Sequence, residues 1–483
     1  MTDMERSGIE VHGFRKAKGL GFIEILIPGG TMKKIIIFIT LILILSIAVF
    51  RIQSSELFIK IKSITPFKEV SLRTKQISGL GENKYSVNGK TVRVVILNSD
   101  SISPYHQTIE LQSELLNIYY GKKYENKKAV KKIRIDANSN YFSKKNCVKV
   151  EGTKIIKWLN ASQNHGNHYR GEFYIYKTSK GLIMVNEVKM NDYVASVVSS
   201  EIGNESPMEA LKAQSVCART YIAQLKQNKY KKYHAIADDS VAFQVYNKTE
   251  PDKKCREAAK TTGNEIMTYD NKPIQASYFS TSCGYTTDGK IWNDKKLKYL
   301  SGCSLLKEQV SIKTEQEFEN FIKTTPKAYE SKYPFYRWKV YLTLEQIENG
   351  IYKTVGEDPG RIKKIEVNER GTGGIVSQIA IYGSNCQVVM TNQNQIRKAL
   401  ISPYSEIKLN DGSVRSGMEL LPSAFIWLQA VSKNGVVTGY EIYGGGFGHG
   451  SGMSQNGAIE LAKDKKTYRE ILEYFYKDID IVD

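Results

Sequence analysis

A long helix is predicted by residues 206–227, which read SPMEALKAQSVCARTYIAQLKQ. Ser206, Pro207 and Glu209 match an N-cap residue, a proline at the first helical position and a glutamate at the third, which is the pattern of a capping box. The residues that follow are mostly strong helix formers. Ala210 and Ala213 are small and fall on one face, so we expect another element of the fold to pack closely there.

The segments before and after this helix alternate between strand and helix patterns. Apolar residues recur at every second position from 91 to 97, and the apolar runs 171–176 and 181–186 flank a short polar turn, which predicts a hairpin. Helix and strand signals alternate again between 310 and 400. This mixture predicts an α+β fold of helices and antiparallel sheets that form one large domain over residues 91–483.

The composition excludes some classes of protein and leaves others open. The chain has 483 residues, of which 41% are hydrophobic and 11 are proline, a mixture that excludes a disordered or a collagen-like chain. It carries 69 Lys and Arg against 50 Asp and Glu, a formal net charge of +19. A negatively charged partner is therefore expected, and nucleic acid, an anionic membrane surface and an anionic polymer outside the cell all fit.

An uncharged apolar run, IIIFITLILILSIAVF, occupies residues 35–50 and follows Lys33 and Lys34. At about 1.5 Å per residue it would span roughly 24 Å as a helix, slightly less than a hydrocarbon core of about 30 Å. The end of the run lacks the small-residue pattern of a signal-peptide cleavage site. We therefore favour an uncleaved transmembrane signal anchor over a secretory signal or a buried core helix.

These features divide the chain into a cytoplasmic tail at 1–34, the anchor at 35–51, a stalk at 52–90 and an external domain at 91–483. The protein is thus expected in the cell membrane, as a single-pass protein with its C-terminal domain outside the cytoplasm. Met32 comes directly before two lysines and the apolar run, as at the usual start of a membrane-targeted chain. We hypothesise that Met32 is the true start and that residues 1–31 are not part of the native protein.

Two candidate functional residues stand out from the residue pattern. His449 lies in the glycine-rich stretch 444–458, GGGFGHGSGMSQNGA, where glycine neighbours let the backbone approach a ligand. Glu201 ends an apolar helix, where desolvation would raise the pKa of its carboxyl and suit it to general acid catalysis. The alternatives are a structural histidine and a solvated glutamate at a helix end. The sequence carries none of the usual nucleotide-binding, serine-hydrolase or zinc-protease motifs.

The cysteines and the paired histidines give weak signals for metal binding. The six cysteines form no C-x-x-C pair, which disfavours a zinc ribbon or a thioredoxin motif. An external location would allow one or two disulfides, and Cys283 with Cys303 is the pair to test. His165 and His168 have ligand-like spacing, but their polar surroundings favour a surface loop over a metal site.

Six segments resemble, in their order along the chain, the stage II sporulation protein D family (the SpoIID/LytB domain). They are VNEVKMNDYVASVVSSEIGNESPMEALKAQSVCARTY (185–221), ADDSVAFQVY (237–246), YFSTSCGYT (278–286), YPFYRWKV (333–340), QIRKAL (395–400) and GFGHGSGMSQNGA (446–458). The resemblance runs from about Val92 to the C-terminus, and its first and last segments carry the most specific motifs. It implies a mixed α+β external domain with a long groove.

The resemblance also implies a function in the cell wall. Members of the family are peptidoglycan lytic transglycosylases that act at the septum and in engulfment during endospore formation. They cleave the bond between N-acetylmuramic acid and N-acetylglucosamine and leave a 1,6-anhydromuramyl product. Relatives of the LytB type enhance a wall amidase, so a non-catalytic wall-binding adaptor is the alternative. The implied partners are glycan strands, a wall amidase and a sporulation membrane-protein complex, whereas a nucleic-acid partner is disfavoured.

The same resemblance implies roles for individual residues. Glu201 matches the catalytic glutamate of the family and lies eight residues before Glu209. The residues expected to line the groove are Arg219, Gln244, Tyr246, Ser280, Thr281, His449, Ser454 and Gln455. Arg219 or His449 would orient the glycan, and Tyr246 would stack on a sugar face.

Two departures from the family pattern bear on the site. Ile202 and Gly203 follow Glu201 where family members commonly have Met-Pro. Some relatives bind zinc through Cys and His in the strand–turn motif, and Phe279 stands here in place of the histidine. We therefore expect no metal and no other cofactor.

Overall fold

A computed structural model describes residues 91–98, 103–161, 166–226, 229–291 and 296–483. All of these residues belong to one structural unit. The predicted tail, anchor and stalk lie outside the described residues and stay predictions. Among the described helices, none combines the length and the apolar character that a membrane span requires.

The N-terminal strands form the largest sheet of the described chain. They are β1 (Thr91–Ile96), β2 (Thr108–Tyr120), β3 (Asn126–Asp136), β4 (Cys147–Gly152), β5 (Ile156–Trp158), β6 (His168–Tyr169), β7 (Glu172–Thr178), β8 (Gly181–Lys189) and β9 (Ala237–Asp238). Their order is β6-β5-β2-β4-β7-β8-β1-β9, and β3 pairs with β2 outside this path. All pairs are antiparallel except β1 with β9. The predicted strand near residue 91 and the predicted hairpin are therefore confirmed as β1 and as β7–β8.

The remaining strands form four smaller sheets. They are β10 (Ile266–Tyr269), β11 (Lys272–Pro273), β12 (Tyr278–Phe279), β13 (Trp338–Thr343), β14 (Lys364–Arg370), β15 (Val376–Tyr382), β16 (Gln387–Met390), β17 (Ile407–Leu409), β18 (Val414–Arg415), β19 (Ile426–Lys433), β20 (Val436–Gly444), β21 (Met453–Ser454) and β22 (Asp480–Val482). The sheet orders are β11-β10-β22, β12-β21, β18-β17-β13-β20-β19 and β14-β15-β16.

Eight α-helices occur in the described residues and complete the predicted α+β fold. They are α1 (Met190–Glu201), α2 (Met208–Gln224), α3 (Lys253–Thr261), α4 (Glu315–Lys323), α5 (Leu344–Val355), α6 (Gln393–Ala399), α7 (Gln455–Lys463) and α8 (Tyr468–Phe475). Short 3-10 turns lie at Asn140–Phe142, Lys231–Tyr233, Gly289–Ile291, Pro334–Tyr336 and Thr372–Gly374.

Helix α2 corresponds to the helix predicted from residues 206–227, and it is buried on two sides. Leu211 and Ala218 pack in a core shared with α1 and the nine-stranded sheet. Ala210, Ala213 and Cys217 pack in a second core with α7 and α8. The expected close packing on the small-residue face is confirmed. Burial of apolar surface is the main stabilising term in folding. Helix α2 therefore holds α1 on one side and α7 on the other, and both of these helices contribute to the site described below.

The predicted capping box at the start of α2 is wrong. Pro207 is itself the N-cap, and the helix begins at Met208. The Ser206 hydroxyl donates instead to the carbonyl of Ile202, at 2.8 Å, and so satisfies an acceptor at the end of α1. The Glu209 carboxylate reaches across to α8, where it accepts from the backbone N–H of Tyr468 at 2.8 Å.

The suggested Cys283–Cys303 disulfide is absent, since all six cysteines are free thiols. Tyr285 is bridged to Ser304 in an antiparallel arrangement. This register puts Cys303 opposite Thr286, and the Cys303 Sγ lies 3.4 Å from the Thr286 hydroxyl oxygen. Cys283 therefore lies three residues away from the position that a disulfide to Cys303 would need.

The crossing of α5 and α6 provides a test of the packing. A Cβ at Gly350 would lie 2.3 Å from the carbonyl oxygen of Ala399, so alanine cannot fit without a shift of the backbone. We expect Gly350→Ala to lower the free energy of unfolding by about 1–3 kcal/mol. This loss outweighs the gain of about 1 kcal/mol that alanine brings as a better helix former.

Urea unfolding followed by circular dichroism measures this effect. The matched control is Asn349→Ala, an exposed neighbour in the same helix, which should leave stability unchanged or slightly raised. Equal stabilities of the two variants would contradict the close crossing of the helices.

Candidate functional site

Glu201 is the last residue of α1, and its carboxyl lies where four segments of the chain meet. The apolar side of α1 is buried, with Val194 and Val197 fully covered, so the helix end is held against the core. The Glu201 Oε1 atom accepts hydrogen bonds from the backbone N–H of Val245, at 2.8 Å, and from the Tyr278 hydroxyl, at 3.1 Å. Its Oε2 atom accepts from the Gln455 side-chain amide at 3.5 Å.

Burial governs the acidity of this carboxyl. It raises the pKa of Glu201, and the three hydrogen bonds to Val245, Tyr278 and Gln455 lower it by less. Desolvation disfavours the charged form, so Glu201 keeps its proton to a higher pH than an exposed glutamate does. This property is what a general acid near neutral pH requires, and it agrees with the sequence-based expectation for this residue.

A short parallel strand pair brings together Tyr278 and Gln455, two residues that donate hydrogen bonds to Glu201. Tyr278 pairs with Met453 and Phe279 with Ser454, so β12 runs beside β21 and α7 begins at the next residue, Gln455. The two segments approach so closely that a Cβ at position 452 would lie 2.0 Å from the carbonyl oxygen of residue 277. Glycine is required at 452 for this contact and for its φ of +78°.

His449 supports this strand pair through the backbone. Its Nε2 atom donates to the carbonyl of Tyr278 at 2.8 Å, and its Nδ1 atom accepts from the N–H of Ser451 at 3.2 Å. A carbonyl accepts and an N–H donates, so the ring is the neutral tautomer with its proton on Nε2. Burial lowers the pKa of His449 to about 4, which keeps the ring neutral. Both ring nitrogens of His449 thus hold the backbone at Tyr278 and Ser451, and its expected role in orienting a glycan stays a prediction.

Arg219 was expected in the groove, but its guanidinium is bound to the end of α3 and the residues that follow that helix. The side chain is fully buried and donates to the carbonyls of Glu265 and Ala259, at 2.9 and 3.1 Å, and to the Thr262 hydroxyl at 3.2 Å. Burial lowers the pKa of Arg219 to about 10. These bonds fix the end of α3 against α2, so Arg219 is a structural residue.

Tyr246 was expected to stack on a sugar, but its ring is 3% exposed. Its hydroxyl donates to the Asn186 side-chain carbonyl at 2.7 Å. The rings of Tyr169 and Tyr193 lie 6.3 and 5.1 Å from it, centroid to centroid. Tyr246 therefore belongs to the core beneath the site, and no ring face is free for a ligand.

The other expected residues contact the segments that hold Glu201. Gln244 is buried, donates to the Ala218 carbonyl at 3.2 Å and accepts from the Tyr278 hydroxyl at 3.4 Å. It therefore orients the tyrosine that contacts Glu201. The Thr281 hydroxyl accepts from the Asn456 amide at 2.9 Å and lies 3.2 Å from the Ser280 hydroxyl. Ser280 and Thr281 thus join β12 to the start of α7.

Ser454 leads to Glu330, a buried acid that sequence reasoning missed. The Ser454 hydroxyl caps α7 by accepting from Gly457 N–H at 3.3 Å, and it donates to Glu330 Oε1 at 2.6 Å. The same carboxyl accepts from the backbone N–H of Ser282 at 2.9 Å and from the Ser282 hydroxyl. Glu330 is fully buried, and burial raises its pKa to about 7. It lies in a polar segment that resembles a solvated turn, so no sequence signal marked it.

Tyr278 was also missed as a site residue, although it lies in a segment that carries the family resemblance. Its position directly before Phe279, Ser280 and Thr281 was the available signal. Among the described residues, no three His, Cys, Asp or Glu side chains converge in a way that would hold a metal ion. The expectation of no cofactor stays a prediction.

The geometry defines a candidate acid–base site, in which the desolvated carboxyl of Glu201 accepts hydrogen bonds from three other segments of the chain. A family model described as stage II sporulation protein matches residues 178–269, which include Glu201. A second model, described as a domain of unknown function, matches residues 287–452. Tyr278 lies between the two matches, and Gln455 follows the second.

Curated relatives agree with the first match. Stage II sporulation protein D of Bacillus amyloliquefaciens is 28% identical over 323 residues, which cover 64% of this chain and 77% of that protein. The protein of the same name from Bacillus subtilis is 28% identical over 326 residues, or 64% of this chain and 78% of that protein. An amidase enhancer of Bacillus subtilis is 23% identical over 288 residues, or 58% of this chain and 39% of that protein. These similarities support the resemblance to the stage II sporulation protein D family that the sequence motifs indicated.

The hydrogen bond between Tyr278 and Glu201 predicts a shift in acidity. Removing the donor in Tyr278→Phe should raise the pKa of Glu201 further, because the hydroxyl stabilises the carboxylate. A ¹³C NMR titration of glutamate-labelled protein measures this pKa, and the Glu201→Gln variant assigns the resonance. Tyr285→Phe, which removes a hydroxyl that donates to the Val310 carbonyl, should leave the titration unchanged. An unchanged titration in Tyr278→Phe as well would refute the contact.

Glu330 predicts a pH dependence of stability. Its folded-state pKa of about 7 lies above the ordinary 4.5, so it stabilises the fold below pH 4.5 and this contribution is lost as the pH rises towards 7. The wild-type chain should therefore lose up to about 3 kcal/mol relative to Glu330→Gln over this range, since each pH unit corresponds to about 1.4 kcal/mol. Urea unfolding of both proteins at pH 4.5, 6, 7 and 8 measures the difference. Parallel curves for the two proteins would show that Glu330 does not titrate in this range.

Proposed function

We propose that this chain is a lytic transglycosylase of the cell wall, which cleaves the bond between N-acetylmuramic acid and N-acetylglucosamine in peptidoglycan. The observation that carries the proposal is the single desolvated carboxyl of Glu201, held by Tyr278, Val245 and Gln455. Similarity to the stage II sporulation protein D family supports a place in endospore formation, in remodelling of septal or engulfment wall.

The first step of the proposed reaction uses Glu201 as an acid. Oε1 already accepts two hydrogen bonds, whereas the contact at Oε2 is the longer one with Gln455, so the proton is best placed on Oε2. Glu201 transfers this proton to the glycosidic oxygen, and the bond from that oxygen to the anomeric carbon of the muramyl residue breaks. The N-acetylglucosamine side leaves as an alcohol.

The second step uses the same residue as a base. The Glu201 carboxylate removes the proton from the muramyl 6-hydroxyl, and the 6-oxygen bonds to the anomeric carbon to give the 1,6-anhydro ring. The Tyr278 hydroxyl and the Val245 N–H stabilise the carboxylate that exists between the two steps. An ordinary glycosidase needs a second carboxylate as nucleophile or base, and the internal hydroxyl replaces it here.

Glu330 does not fill the place of such a second carboxylate. It is fully buried, and both of its oxygens accept hydrogen bonds from Ser282 or Ser454. The burial that raises the pKa of Glu201 is accompanied by no contribution from another acidic side chain. One carboxyl is therefore assigned to both proton transfers.

The proposed location is the outer side of the cell membrane. It rests on the apolar run at 35–50 with the lysines before it, and on the formal net charge of +19, which favours a polyanionic wall. The proposed partners are glycan strands of peptidoglycan, a wall amidase and other sporulation membrane proteins.

A second candidate function follows from the relative named amidase enhancer. In this alternative the chain binds the wall and stimulates an N-acetylmuramoyl-L-alanine amidase without cleaving glycan itself. The residues around Glu201 would then form a binding site, and the acid would contribute a hydrogen bond instead of a proton.

The lytic function is tested by replacing Glu201 with glutamine, which cannot donate the proton that cleavage requires. Glu201→Gln keeps the shape of the side chain and removes its acidity, so release of 1,6-anhydromuramyl fragments from purified peptidoglycan should fall by at least about a hundredfold. Mass spectrometry of the soluble products measures the release. Glu205→Gln, an exposed glutamate four residues further on, is the matched control and should retain full activity.

The outcomes separate the two functions. Undiminished anhydro product from Glu201→Gln would reject Glu201 as the acid. If neither the wild-type chain nor the variant releases fragments, but both accelerate a purified wall amidase, the enhancer function replaces the lytic one.

A further inference from the structure

A second concave surface lies on the nine-stranded sheet, where β2 bulges. The register of β2 against β3 shifts between Gln112 and Leu116, so residues 113–115 bulge out of the strand pair. Two adjoining cavities, of about 690 and 460 Å³, open beside this bulge and share Glu114 and Ile155 in their lining. We call the two cavities together the bulge cleft.

The charged side chains of the bulge cleft are mainly cationic. Its cations are Lys131, Lys154, Lys157, Arg170 and Lys189. Two acids also line it, and each is paired: Glu114 with Lys154 at 2.7 Å, and Asp192 with Arg170 at 3.7 Å. The cleft therefore has an excess of positive charge.

Three lysines supply that excess. In the described part of the chain, Lys131, Lys157 and Lys189 form no ion pair and no side-chain hydrogen bond, and all three are exposed. Lysines on an edge strand often protect it against aggregation, and this explanation fits Lys131 on β3. It does not fit Lys157, which is paired on both sides, with β2 and with β6. Lys189 ends β8 in the interior of the sheet order and is paired with Thr91 of β1.

We propose that the bulge cleft is a subsite for the carboxylates that recur along a wall glycan strand, an inference that rests on the proposed function. Such carboxylates come from the lactyl groups of muramyl residues or from stem peptides. Exposed lysines attract them without geometric selectivity, and a polymer that presents one in every repeat gains affinity through several weak contacts at once. This matches three lysines spread over one cleft better than it matches a single small anion.

The position of the cleft relative to Glu201 fits a long substrate. Asp192 of the cleft lies in the first turn of α1, and Glu201 is the last residue of the same helix. Nine residues at about 1.5 Å each separate them by roughly 14 Å along the helix axis, and about 2.5 turns place the two side chains on opposite sides of α1. A strand of several sugars is long enough to pass around the helix and contact both places, whereas a single disaccharide is not. The bulge cleft would then fix the strand on the enzyme while Glu201 acts at one bond.

Binding to whole peptidoglycan tests this proposal. The full chain carries Glu201→Gln in every sample, so that cleavage does not dissolve the substrate. The cleft variant adds Lys131→Gln, Lys157→Gln and Lys189→Gln. The matched control adds Lys363→Gln, Lys408→Gln and Lys433→Gln, three exposed lysines in or directly beside the smaller sheets, and has the same net charge. Circular dichroism verifies that both fold.

Co-sedimentation with sacculi freed of teichoic acid measures the affinity at low salt. We expect the cleft variant to bind about tenfold more weakly than the parent, and the control to stay within about twofold. Raising the salt concentration should weaken the parent much more than the cleft variant, because exposed charges are screened. Chitin, a glycan without carboxylates, should not distinguish the three proteins.

Further samples identify the source of the carboxylates. If amidase-stripped sacculi show the same tenfold difference, the lactyl groups are bound, and if the difference disappears, the stem peptides are. Equal binding of cleft variant and control, no binding by the parent, or a difference seen only with teichoic acid present would each overturn the proposal. These measurements use a protein without the catalytic acid, so a failure of the proposed lytic reaction does not affect them.

Discussion

The parallel pairing of β12 with β21 is the constraint on which the candidate site depends. It aligns Tyr278 with Met453, so that the tyrosine hydroxyl and the amide of Gln455, the first residue after β21, both reach the carboxyl of Glu201. The pair is only two residues long on each side and is stabilised from outside. Gly452 permits the close approach, and the neutral ring of His449 holds the carbonyl of Tyr278.

Burial raises the pKa of two carboxyls beside this strand pair, Glu201 and Glu330. Their different hydrogen-bond partners give them different roles. Glu330 is fully buried, and Ser282 and Ser454 occupy both of its oxygens, so it fixes the loop after β12 to the start of α7. Glu201 is partly exposed and has one oxygen with a single long contact. A raised pKa alone does not identify an acid catalyst, because a group must also be able to reach a ligand.

Three residues that the family resemblance placed in the groove have other roles in the fold. Arg219 fixes the end of α3, Tyr246 packs in the core beneath the site, and His449 supports a strand. Each side chain is hydrogen-bonded within the fold: Arg219 through both Nη atoms, Tyr246 through its hydroxyl and His449 through both ring nitrogens. Gln455 contacts Glu201 directly, whereas Gln244 is joined to it through Tyr278, whose aromatic ring gave no reason to expect a polar role.

The sequence by itself determined the α+β class, the strand at residue 91, the hairpin formed by β7 and β8, the helix α2 and the family resemblance, because periodicity and local motifs depend on near neighbours. It also indicated Glu201 as a candidate acid, since desolvation at the end of an apolar helix raises the pKa of a carboxyl. It could not determine that Ser206 closes α1 instead of capping α2, that Cys303 faces Thr286, or that Glu330 is buried. The last two outcomes depend on strand register and on side-chain partners from 17 to 124 residues away. The first depends on which of two neighbouring helix ends the Ser206 hydroxyl binds. Only the tertiary structure brings such partners together, because a side chain's role is set by the donors and acceptors that packing places around it.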